Sequence, residues 1–196
     1  MATKGYLLIT DITGYTSFLT GHELDHAQHI IEGLMNCQLD ALTSPVQISN
    51  FQGDAILCHV PEDHLDSAAS LIDRARNIYS AFTAKVAEMH IDPPCKCKAC
   101  ANIDDLDLKI FVHFGEYLVK KLGERDELMG SDVILVHRMM KNSVVPDTGI
   151  KSYLLMTDSA FNKLSDPSSQ ASFVTHEEAY DHIGKVQMHV ADLNNW

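Results

Sequence analysis

The sequence predicts an α+β domain of ferredoxin-like architecture, a mostly antiparallel sheet with helices packed on one face. Two patterns carry that expectation: short apolar runs of strand character, mostly joined by tight turns, and longer segments of helical spacing between them. At 196 residues, with nothing resembling a linker, the chain fits a single domain over 1–196. Its 45% hydrophobic and 21% charged residues suit a well-filled core and argue against disorder.

GYLLIT is an almost continuous apolar run ending at Asp11, as expected of a central strand that delivers an acid to the end of the sheet. From Glu23 to Leu42 the residues Leu24, Ala27, Ile30, Ile31, Leu34 and Met35 recur at helical spacing, and Ser44-Pro45 stops the pattern. VQISNF and AILCHV read as a hairpin whose turn, Gln52-Gly53-Asp54, tolerates positive φ. Beyond Pro61, a stripe from Leu65 to Met89 predicts a long helix with one buried face. An insertion at about 91–105 breaks all periodicity. LDLKIFVHFGEYLVKKL then predicts two strands around Gly115-Glu116. A helix over about 130–142, a strand at SYLLM, a short helix and a closing antiparallel pair complete the order.

A net charge of −12 argues against nucleic-acid and anionic membrane partners, which need clustered Lys and Arg. No stretch approaches the roughly 20 apolar residues of a bilayer span. MATKGYLLITD meets an acid too early for a signal peptide, and a cytoplasmic location is expected.

In order along the chain, LLITDITGYTSFL, ISNFQGDAILCHV, LKIFVHFGE and MGSDVILVHRMMKN resemble the signature blocks of class III adenylate and guanylate cyclase domains. The resemblance covers residues 5 to about 144 and weakens beyond. It implies a nucleotide cyclase-like fold acting as a homodimer on a purine nucleoside triphosphate. Asp11 and Asp54 would hold a two-metal Mg²⁺ or Mn²⁺ site, with the Ile12 carbonyl as a further ligand. Taken singly, an acid before a helix is also a favoured cap, and an acid in a hairpin is a favoured turn residue. Arg138 matches the arginine that stabilises phosphate charge across the dimer, but Ile134 stands where the family has a ribose-orienting Asn. Losing one such contact costs on the order of 10²–10³ in rate. The base-reading slots fall on Asn50 and Glu127, a pair that leans toward ATP over GTP, and Lys185 is a loose match to the late phosphate-binding lysine.

Cys95, Cys97 and Cys100 form C-x-C-x-x-C, which with His90 could complete a Cys₃His zinc site. The flanking Lys96 and Lys98 would lower the thiol pKa values, which serves metal binding and redox reactivity alike. Cys37 and Cys58 read as buried thiols, His113 and His137 as packed residues, and His22, His26 and His29 as a solvated helix face. Three functions follow: a divergent nucleotidyl cyclase, a silent nucleotide-sensing or dimerising module of the same fold, or a zinc or redox element on the cysteine cluster.

Overall fold

A computed structural model of the chain describes residues 1–93 and 97–196. β1 (Thr3–Thr13) is buried without a break from Gly5 to Thr10, which is possible only for a strand covered on both faces. α1 (Tyr15–Gly21) and α2 (Leu24–Ala41) follow, then the hairpin of β2 (Gln47–Gln52) and β3 (Ala55–Pro61). α3 (Ala69–Ile91) and the short α4 (Lys98–Ala101) lead to β4 (Asp107–Leu122), β5 (Arg125–Met129), α5 (Ser131–Met139) and α6 (Val144–Thr148). The chain ends with β6 (Tyr153–Thr157), α7 (Asp158–Phe161), α8 (Pro167–Gln170), β7 (Phe173–Tyr180) and β8 (Gly184–Asp192).

Among the described residues the strands run β2-β3-β1-β4-β6-β8-β7, with β5 paired to the far half of β4. All pairings are antiparallel except β4–β6, so the mostly antiparallel α+β expectation holds. One expectation is corrected: helices cover both faces. On one face α2 and α3 bury Ile30, Leu34, Ile72 and Phe82 against Leu8, Ile56 and Cys58. On the other, α5 and α6 place Val133, Val136, Met139 and Val144 over Leu7, Ile9, Leu57 and Phe111. Helical spacing tells which residues of a helix are buried but not which side of the sheet receives them.

A second correction concerns β4, a single strand of 16 residues where two were expected. It pairs with β1 through Tyr117 and with β5 from Leu118 onward. Gly115 does not turn the chain; it makes room. A Cβ there would sit 2.3 Å from Asp132 Oδ2, at the start of α5. Through that gap Asp132 Oδ2 accepts the Glu116 N–H at 2.6 Å, while its Oδ1 lies 3.3 Å from His113 Nε2. The glycine thus lets α5 dock on the strand.

Candidate metal and nucleotide site

Asp11 lies near the end of β1, opposite Ala55 of β3 and Lys109 of β4. Asp54 occupies the β2–β3 turn, which is possible because Gly53 before it takes φ 66°, open to glycine at no steric cost. The two carboxylates converge. Burial, reinforced by the nearby Asp11 charge, pushes the Asp54 carboxyl up to about 6, although it accepts backbone N–H bonds from Ile12 and from itself. Burial also raises Asp11, partly offset by Lys109. The Asp11 and Asp54 carboxylates are near enough for the charge of one to raise the other, and two hard oxygen donors so placed suit a hard divalent cation. The Ile12 side chain is buried in the core, so only its backbone could serve such an ion.

The expected base-reading pair also comes together, since Asn50 Nδ2 on β2 donates to Glu127 Oε2 on β5 at 3.3 Å. Both line a pocket of about 540 Å³ with Gln47, Ser49, His59 and Arg125. Asn50 Oδ1 and Ser49 Oγ are buried with no hydrogen-bond partner among the described residues, an unpaired acceptor and hydroxyl on residues that line the pocket. Neither Asp11 nor Asp54 lines this pocket.

Arg138 is exposed on the last turn of α5, one helical turn after Ile134, which is 55% exposed, so both look outward from one helix face. Lys185 pairs with Glu177 at 2.7 Å near the β7–β8 turn. By register Asp11 lies level with Asp192 of β8, seven residues away, so Lys185 stands at the opposite end of the sheet within one chain.

Of the expected cysteine cluster, His90, Cys97 and Cys100 are described. His90 Nδ1 lies 3.0 Å from Asp104 Oδ2, whereas His26 hydrogen-bonds the Cys97 thiol. Cys95 lies outside the described residues. Among the described residues no group of three or more His, Cys, Asp or Glu side chains gathers to hold a metal. His22 is likewise no free surface group, because its Nδ1 meets Phe18 O at 2.7 Å and its Nε2 meets Asn102 Nδ2 at 3.1 Å. His113 is buried and packed, with Nδ1 2.8 Å from Thr157 Oγ1 and Nε2 3.3 Å from Asp132 Oδ1.

Sequence reasoning missed His59 and Lys109. Nothing in an alternating strand marks one polar residue as facing a pocket or an acid; only the register of β1 with β4 and the shape of the pocket do. Among the described residues, no helix is long and apolar enough to cross a membrane.

A family model described as "Protein of unknown function (DUF2652)" matches residues 31–148. The "Uncharacterized protein Rv2561/Rv2562" of Mycobacterium tuberculosis is 32% identical over 161 residues, 82% of this chain and 72% of that protein. Among solved structures, the guanylyl cyclase Cya2 matches with a TM-score of 0.74 at 14% identity, over 97% of this chain and 92% of that one. A class III adenylyl cyclase-like ATP-binding protein from Pseudomonas aeruginosa matches with a TM-score of 0.66 at 18% identity, over 83% of this chain and 35% of that one. The fold is that of class III adenylyl and guanylyl cyclase domains.

Proposed function

The chain belongs to the DUF2652 family, and from that membership and its fold we propose that it binds a purine nucleoside triphosphate with Mg²⁺ or Mn²⁺ and cyclises it slowly as a homodimer. The observation that carries the reading is the convergence of Asp11 and Asp54 at one rim, with the Asp54 carboxyl raised to about 6 by burial and by its neighbour's charge. Two carboxylates held this way are costly unless a cation accompanies them. When bound, divalent metal would supply charge neutralisation on the triphosphate and activation of the ribose hydroxyl. Asp11, Asp54 and the Ile12 carbonyl would orient it.

Asn50 and Glu127 would read the base. With Asn50 Nδ2 given to Glu127, Asn50 Oδ1 and the remaining carboxylate oxygen are acceptors suited to the exocyclic amine of adenine, the basis for preferring ATP over GTP. Because neither metal acid lines the pocket of the base slots, a complete site would draw on a second copy. Exposed apolar residues at the pocket and around it, Ile48, Phe51, Val119, Met129 and Ile134, suit that contact. Arg138, beside Ile134, would reach the partner's phosphates.

Ile134 also supports a second reading, a silent nucleotide sensor, because an aliphatic side chain cannot orient the ribose. The test incubates purified protein with Mn²⁺ and ATP or GTP and measures cyclic product and, by calorimetry, nucleotide binding. Product above that of Asp54→Ala is expected for the first reading. Metal-dependent binding without product selects the sensor, and absence of both ends the proposal.

A further inference from the structure

We propose that Cys97 and Cys100 form a hydroperoxide-sensitive dithiol, with His26 as the proton donor that serves the exposed sulfur. The inference is independent of nucleotide binding. Cys97 is partly exposed and opens onto a cleft of about 550 Å³ lined also by His22, Glu23 and Lys98. Cys100, three residues on, is buried at 6% exposure. The Cys100 backbone N–H donates to Cys97 Sγ at 3.4 Å, so the short helix α4 already folds the second residue back against the first sulfur. Residues three apart in a helical turn lie within the Cα separation that a disulfide requires. An attacking sulfur open to solvent beside a buried resolving sulfur is the division of labour that a reversible dithiol needs.

His26 supplies the acid. It is hydrogen-bonded to the Cys97 thiol, and the Glu23 carboxylate stands 3.8 Å from its Nδ1. An imidazolium beside a sulfur favours the thiolate, as does the adjacent Lys98 ammonium. The Cys97 thiolate attacks one oxygen of the hydroperoxide. The S–O bond forms, the O–O bond breaks, and the departing oxygen takes the His26 proton and leaves as water or alcohol. The sulfur loses two electrons and becomes a sulfenic acid. Cys100 then attacks that sulfur, forming the S–S bond and releasing the hydroxyl, which leaves as water with the Cys100 proton. Two thiols and one hydroperoxide thus give one disulfide, one alcohol or water, and one water.

The test treats the reduced full chain with one equivalent of hydrogen peroxide and maps peptides without reduction. Trypsin cuts after Lys96 and Lys98, placing the two cysteines in separate peptides, so their bond appears as a linked pair. Expected results are a Cys97–Cys100 link in the wild type and in Cys95→Ser, and a dimedone-trapped sulfenate at Cys97 in Cys100→Ser. His26→Ala should slow the reaction on the order of tenfold or more, whereas His90→Ala should not. Cys97→Ser, at a partly exposed position, should abolish both products and serves if Cys100→Ser does not fold. The proposal is overturned by linkage to Cys95, by dimedone labelling elsewhere, by no reaction, or by one equivalent of zinc in the isolated protein that Cys97→Ser removes.

Discussion

At Asp54 the physical chemistry has a sign that can be checked. Folding holds its proton more tightly than the unfolded chain does, the pKa rising from 3.8 to about 6. The stability that protonation supplies is therefore fully present below pH 3.8 and is lost as pH rises through about 6. Because the group is partly exposed, the effect is discounted to about 1–2 kcal/mol. Asp54→Asn should accordingly melt higher than wild type at pH 7.5 in calorimetry and flatten the pH dependence across this window; a less stable variant would mean that the carboxylate is already compensated. Both acids could be read from the chain because a strand end and a hairpin turn fix their location within a residue or two. His26 could not. On its helix it looks like any solvated imidazole, and only the return of the chain at Cys97, 71 positions later, gives it a partner.

At the scale of elements, β4 and α5 are one device. The Gly115-Glu116 pair looks like a turn in sequence because glycine is the usual punctuation of hairpins, yet here it admits the Asp132 carboxylate. Gly115→Ala should cost about 1–3 kcal/mol in denaturant titration through overpacking. Adding Asp132→Ala should recover part of that loss, whereas additive losses would show that the two residues do not meet. The helices α2 and α3 were legible in outline since their apolar stripes are long; α5 spans only 9 residues, too few for its pattern to say which face of the sheet it covers.

For the whole molecule, the sheet's two covered faces leave the β2–β5 side and the outer face of α5 carrying much of the exposed apolar surface. Phe51 is 54% exposed there. Phe51→Glu should shift sedimentation toward the monomer and abolish nucleotide binding with unchanged circular dichroism. If binding survives in a monomer, the reading of a shared site fails. The fold was legible from the order of its elements, but the division of the pocket from the acids was not, since it depends on how far β5 reaches toward β2.

If two copies share each site as proposed, that division would make chain abundance a control variable. When each copy carries half of each working site, occupancy scales with the square of concentration under dilute conditions, and synthesis or degradation of the protein becomes a dial on its output. Two differently disabled copies, one lacking the acid at position 54 and the other altered at 127, could together rebuild one intact site per pair.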